Sequence, residues 1–382
     1  MLSLFIQLNK LLIMIVRRLL SLSVFLVIIF ISCSSDTESY DSIDMIPEVT
    51  TEFLFEITGS SDVTFSRISD LKVSSNGTII VADESANKIH LFDSDGNFLS
   101  TALREGRGPG EVQNLLGRIT LSDDDRLLIY DQSLRRLSIF DLENDQLQHS
   151  QDLSLERNAS FFHLLNDKIY LYSSTSAAST DGDGQDRLLE LDTDGTVLRS
   201  SIATFQRSDE LMITTESMSM GMSTEYHEKN HVGFNDNKMV QNRSNQIGFT
   251  LYDIESGEII QETHLNRPRK ELQASVKEEY VDNILESGFI PRSKRSQLLS
   301  DMPEFEPVVQ TLKYDSDGTV WLKINEAKNT GWLLFSDESG KPIGRLFSEL
   351  DGNLISVHNS HLFVATEDEE GYPKLRIYRY GF

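Results

Sequence analysis

Few residues in this 382-residue chain are placed to do chemistry. Cys33 is its one cysteine and directly follows an apolar run, where the thiol is a candidate for lipid acylation; no second cysteine remains for a disulfide or a zinc site. Residues 106–111 read Gly-Arg-Gly-Pro-Gly-Glu, a loop in which Arg104, Arg107 and Glu111 are candidate ligand contacts. The loop lacks the Lys and Ser/Thr pair and the following helix of a phosphate cradle, and its glycines with Pro109 equally suit a turn. Asp93-Ser-Asp95-Gly, Asp192-Thr-Asp194-Gly and Asp315-Ser-Asp317-Gly invite calcium, the one cofactor left open here. Each lacks the spaced carboxylates and terminal Glu of a calcium loop and sits where a hairpin needs Asx and Gly, so no metal ligands are assigned.

Motifs for a serine nucleophile and paired zinc cysteines are absent from the sequence, and His227-Glu228-Lys229-Asn230-His231 has His-Glu-x-x-His spacing, but Met220-Gly-Met and its polar flanks suggest a loop and not the helix a zinc site of that kind needs. No catalytic residue is therefore named. The eight histidines are scattered. His358 and His361, on one strand, would point to opposite faces because their offset is odd, and His227 and His231 read as a surface loop. What discriminates an enzyme from a binding module is whether Asp83, Asp131, His90 and His163 face a common centre.

The elements that would carry these residues begin with a leader. Arg17 and Arg18 precede the apolar stretch Leu19 to Ile31, and Ser32-Cys33 then turn into polar Ser34, Ser35 and Asp36. About 13 apolar residues are too few to span a bilayer, which takes roughly 20, so residues 1–32 are expected to be a cleaved signal peptide. Met14, shortly before the arginine pair, is a plausible true start. Phe30-Ile31-Ser32-Cys33 reads as a loose lipobox, and residues 33–49 are expected to be an acidic flexible tether, with Asp36 and Glu38 loosely resembling a surface-export signal.

Formal net charge is −25, and loss of Lys10, Arg17 and Arg18 with the leader makes it −28. Such a body repels nucleic acid and anionic headgroups, so nucleic acid is excluded as a partner. The membrane is expected as a partner through the lipid alone.

From residue 50 to 382 the chain repeats itself. Ile68 to Phe98 and Leu116 to Asp141 share a pattern in which Asp83 and Asp131, Phe92 and Phe140, and Asp93 and Asp141 recur at the same spacing. Each unit is a β-meander the size of one propeller blade. Weaker copies surround Lys168 to Gly195, Gly248 to Gly257, Leu312 to Gly340 and Leu354 to Tyr378. The fold class is thus all-β, a six-bladed β-propeller of four-stranded antiparallel blades. The early strand from Glu52 to Ile57 is expected to close the last blade. Between blades four and five, residues 267–306 read as a helical insertion, with one helix from Lys270 to Ser287 and a shorter one from Ser293 to Met302. Its Arg267, Arg269, Lys270, Arg292, Lys294 and Arg295 read as surface charges balancing nearby Glu and Asp.

These residues resemble the six-bladed propeller lipoproteins of Gram-negative bacteria, related to NHL-type repeats. The resemblance rests on Gly77-Thr-Ile-Ile-Val-Ala-Asp83, Ile89-His-Leu-Phe-Asp-Ser-Asp-Gly96 and the Gly106 to Glu111 loop, where Val112 stands in place of an aromatic residue. It implies architecture and little chemistry. The expected role is a noncatalytic binding or scaffold module, anchored by lipid to the outer membrane and facing the periplasm or the surface, with an envelope protein, peptide or glycan as ligand. The alternative is a metal-dependent hydrolase or lyase with a site in the central channel. Fold alone licenses neither.

Overall fold

The computed structural model describes residues 43–382 apart from 60–62, 157–158, 177–183, 215–218, 326–329 and 348–349. The expected signal peptide, Cys33, Asp36 and Glu38 lie outside the described residues. No helix among the described residues is long and apolar enough to cross a membrane.

Six four-stranded antiparallel sheets follow one another as blades: residues 68–102, 115–154, 161–206, 230–265, 309–346 and 353–381. The first strands of successive blades contact one another in an unbroken ring. They are Ile68–Val73, Leu115–Leu121, Phe161–Leu165, Asn230–Asn235, Val309–Tyr314 and Asn353–His358. The second strand of a blade is covered on both faces by its neighbours, which is why Ile79–Asp83 is buried at every position and lacks polar alternation. The core lies between blades. Ile80, Ile89 and Leu91 of blade one pack on Leu127, Ile129 and Phe140 of blade two, and Leu128, Leu137 and Ile139 pack on Phe162, Leu164 and Ile169 of blade three. Each such side chain stabilises by roughly 1.5–3 kcal/mol on burial.

The last blade takes its outer strand from the other end of the chain. Thr50–Ile57 pairs antiparallel with Pro373–Gly381, from Thr50 opposite Gly381 to Ile57 opposite Leu375, with a bulge between Phe53 and Phe55. Residues 43–49, the last part of the expected tether, are docked on the fold. Ile43, Ile46 and Val49 are each 2% exposed. The Val49 N–H donates to the Arg345 carbonyl at 2.8 Å and the Arg345 N–H to the Pro47 carbonyl at 2.8 Å, while Arg345 Nη1 meets Asp44 Oδ1 at 2.9 Å. This segment covers the outer edge of blade five.

The insertion is helical, with Ala274–Glu286, a 3-10 turn at Arg292–Lys294 and Arg295–Asp301. The first helix starts four residues later than its periodicity suggests. Lys270 and Leu272 instead pair with the returning chain, through Glu306 N–H to the Lys270 carbonyl at 2.8 Å and Leu272 N–H to the Glu304 carbonyl at 2.9 Å. Arg295 clasps Asp282 at 2.6 and 2.9 Å, and Lys270 meets Glu306 at 2.8 Å, so these cations are balanced on the surface as expected. A hairpin of Leu211–Thr214 and Ser219–Met222 was not legible in the sequence. It packs Leu211 and Ile213 against Val281, Leu285 and Leu298, a small second core beside the disc.

The repeated aspartates have a structural task. Asp131 ends the second strand of blade two and accepts the N–H groups of Gln113, Asn114 and Leu134 at 2.5, 3.2 and 3.1 Å. It thereby ties the entry of the first strand to the exit of the second. Asp131→Ala leaves three donors short, at about 1–3 kcal/mol for each that water cannot reach. Urea unfolding is expected to show a loss of about 3 kcal/mol; a loss below about 1 kcal/mol would mean these bonds are replaced by solvent.

Candidate functional site

Alternation along the six first strands sends every second side chain into the centre. There they enclose a channel cavity of about 670 Å³. Blade one contributes Asp70 and Lys72, blade two Arg118 and Thr120, blade three Phe161 and His163, blade four His231, blade five Thr311 and Lys313, and blade six Ser356 and His358.

Several of these side chains staple one blade to the backbone of the next. Asp70 Oδ2 accepts the Ile119 N–H at 3.1 Å, Arg118 donates to the Ser160 carbonyl, and Thr120 Oγ1 donates to the Phe162 carbonyl at 2.8 Å. His163 Nε2 donates to the Asp236 carbonyl at 2.9 Å. Asn235 Nδ2 donates to the Asp315 carbonyl at 3.1 Å, and Lys313 Nζ donates to the Ile355 carbonyl at 2.7 Å.

The electrostatics are zoned. Within the first strands, Lys72, Arg118 and Lys313 face one carboxylate, Asp70, which lies 3.3 Å from Lys72 Nζ. Arg118 stacks over the Phe161 ring at 4.3 Å. Burial lowers its pKa, Asp70 opposes the shift, and a guanidinium stays charged regardless. Burial pushes the Lys313 amine down to about 8 against the pull of Asp70, with Lys72 and Arg118 adding to the fall. The mouth formed by the turns after the first strands is acidic, with Asp123, Asp125 and Asp236 in the cavity wall. Burial, then the charges of Asp236 and Asp124, raise the pKa of Asp123. Asp125 is already engaged, accepting from the Ser75 N–H at 2.8 Å and the Ser75 hydroxyl at 2.5 Å.

Of the four residues that discriminate an enzyme, one faces the channel. Asp83 accepts the Ser66 and Arg67 N–H groups at 2.7 and 2.8 Å inside blade one. Burial raises its pKa, but His90 and those N–H groups outweigh burial and hold it below the usual carboxylate range. His90 Nδ1 meets Thr101 Oγ1 at 2.8 Å within the same sheet, and Asp131 is the cap described above. His163 is the channel residue. Among the described residues no three His, Cys, Asp or Glu side chains converge as a metal site.

The Gly106 to Glu111 loop lies away from this cavity. Gly108 N–H donates to Glu111 Oε2 at 2.8 Å, and Arg136 Nη1 donates to the Arg107 carbonyl at 3.1 Å. Gly110 has φ +70°, and a Cβ there would lie 2.7 Å from the His149 ring. Arg104 and Arg107 are exposed, Glu111 is turned into the loop, and none of the three lines the channel.

The aspartate turns behave as hairpin chemistry requires: Asp93 Oδ1 accepts the Asp95 and Asn97 N–H groups at 3.0 and 2.8 Å, beside Gly96 at φ +86°. Asp315 differs in being buried, and burial and then Asp317 push it up to about 6. Two histidine readings need correction. His358 and His361 occupy two strands and pair across a tight turn at Asn359 and Ser360, both with positive φ. His227 is buried against Thr224 Oγ1 at 2.6 Å, and His231 stands on the first strand of blade four with a buried Nε2 that has no hydrogen-bond partner. The missed signal was the strand Asn230–Asn235, disguised by Gly233 and its flanking Asn residues.

The family described as Domain of unknown function (DUF4934) matches residues 60–362. No curated protein matches the chain. Among solved structures, a presumed exported protein of Bacteroides fragilis superimposes with a TM-score of 0.57 at 11% identity, over 87% of this chain and 96% of that one. A Bacteroides thetaiotaomicron protein of unknown function gives 0.49 at 11% identity, over 87% of this chain and 77% of that one. At such identity the likeness is one of fold.

Burial pushes His163 and His231 each down to about 4, although a backbone carbonyl opposes the shift in both. An unfolded imidazole titrates near ~6.5, so between there and about 4 the unfolded chain holds protons that the folded chain does not. The stability they contribute is full above ~6.5 and is lost as pH falls towards 4. Melting temperature is expected to drop across that window, and His163→Gln to flatten part of the drop. An NMR titration placing the His163 ring near ~6.5 would contradict this.

Proposed function

The chain belongs to the DUF4934 family of domains of unknown function, and on that premise we propose that it is a cell-envelope binding module whose channel takes a small hydroxylated anion of the sugar-acid class. One observation carries the reading: three first strands on three blades each direct a cation into one cavity that holds a single first-strand carboxylate. Partly desolvated cations in a confined cavity favour an anionic group far more than surface cations do. Thr120, Thr311 and Ser356 supply hydroxyls in the wall, and the carboxylates of Asp123 and Asp236 at the mouth can accept from ligand hydroxyls. The ligand would sit with its negative end inward.

Export and lipid anchoring are supported by the leader and by Cys33 at its end, and the Bacteroides fragilis neighbour is itself named as presumed exported. Outer-membrane attachment through the acylated Cys33 then places the propeller in the periplasm or at the surface. A central hydrolase or lyase has less support, since Asp83, Asp131 and His90 are spent within the blades.

Two measurements test this. Calorimetry on residues 43–382 with gluconate should give saturable binding that salt weakens, and Lys72→Met or Arg118→Met should each weaken it at least tenfold, about 1.4 kcal/mol. Heat indistinguishable from dilution, with wild-type melting intact, would remove the anion site. In a bacterial host, Cys33→Ser should abolish incorporation of labelled palmitate and release the protein from membranes; retention of the label would place the acylation elsewhere.

A further inference from the structure

Lys313 differs from the other channel cations. Lys72 has a carboxylate partner at 3.3 Å, whereas the hydrogen-bond partner of Lys313 is the Ile355 carbonyl, at 2.7 Å. A carbonyl accepts from a neutral amine as well as from an ammonium, so this bond survives loss of a proton and leaves the nitrogen lone pair free. The charged groups that act on it are Asp70 and Lys72 from blade one and Arg118 from blade two, two cations against one carboxylate. Burial works in the same direction, and an amine held at about 8 is partly neutral at physiological pH. A lysine that is desolvated and placed beside other cations is activated as a nucleophile towards carbonyl carbon.

We propose that Lys313 is a reactive amine that captures the carbonyl of a 2-oxo sugar acid in the channel as an imine. The inference rests on the anion-site reading above. With the ligand carboxylate held by Lys72 and Arg118, the adjacent carbonyl carbon is presented to Lys313. The neutral Nζ attacks that carbon, a C–N bond forms as the carbonyl π bond breaks, and one N–H proton passes to the oxygen to give a carbinolamine. The hydroxyl leaves with the remaining N–H proton as water, which breaks the C–O bond and leaves the C=N bond to Lys313. Nothing is oxidised or reduced, and water alone is released. The mouth carboxylates are left to accept from the ligand's remaining hydroxyls.

The test uses 2-oxogluconate and gluconate, which differ at carbon 2 alone, a carbonyl in one and a hydroxyl in the other. Residues 43–382 are incubated with 2-oxogluconate and cyanoborohydride, which reduces an imine to a stable secondary amine, and the modified lysines are mapped by peptide mass spectrometry. The expected result is Lys313 modified at least tenfold faster than any other lysine, with gluconate in excess suppressing the label. In Lys313→Arg, folding checked by melting, modification falls to the scattered level of surface lysines. If gluconate binds by calorimetry but Lys313 is modified no faster than surface lysines, the imine proposal fails and the anion site stands. If gluconate neither binds nor protects, the anion site fails, and the 2-oxo sugar acid falls with it whatever Lys313 does.

Discussion

Ring closure is the constraint on which everything else depends. A blade buries its faces against two neighbours, so no blade in the set is finished until the sixth meets the first. Here that junction is made by the chain ends: Thr50 Oγ1 reaches the Gly381 carbonyl across 331 residues. One cluster combines Ile57 of the closing strand, Leu375 and Ile377 of blade six, and Leu71 and Val81 of blade one. Such distant pairing costs chain entropy before it returns contact energy. Docking of residues 43–49 on blade five extends the same closure and covers an edge that would otherwise be open to another strand.

Closure also explains why the channel is polar at all. First strands that meet at a centre cannot complete a sheet with one another, so their side chains bridge to the next blade's backbone. A neutral donor suffices for that purpose, as Thr120 and Asn235 show. Arg118 and Lys313 do the same work with a guanidinium and an amine, whose charged forms desolvation disfavours. Stapling therefore accounts for the polarity of the channel but not for its excess of cations, and this residue of unexplained charge is what points to an anion.

The fold was legible where local chemistry repeats. Asp83 and Asp131, with the Phe-Asp ends of the third strands, recur because each blade must cap the same N–H groups and make the same turn. The closing strand was legible from its position, and the insertion from its helical period. The channel was not. Its residues differ from blade to blade, since a staple can be Asp, Arg, Thr, His, Asn or Lys, and bulges such as that between Ile68 and Asp70 shift the register that counting assumes. Lys72, Arg118 and Lys313 lie 241 residues apart from first to last in the sequence, each an ordinary surface-like cation in its own strand. The glycine-rich loop is conspicuous in the sequence because its residues are contiguous, but its bonds run within the loop and to Arg136 of blade two.

The acidity of the whole chain does not argue against an anion inside it. At physiological ionic strength charges are screened over about 8 Å, so the outer carboxylates act weakly on a ligand already in the channel. Cations within a few ångströms, in a wall of lower effective dielectric than water, act several times more strongly than the same charges would in solvent. The two zones thus control different quantities. The acidic body and mouth bear on how fast an anion arrives and which end leads, while the cations of the first strands bear on how firmly it is held. On the proposed reading, a carboxylate-lined mouth that accepts hydroxyls and a cationic interior that accepts a carboxylate would select for a molecule carrying both, which is a narrower requirement than either zone imposes alone.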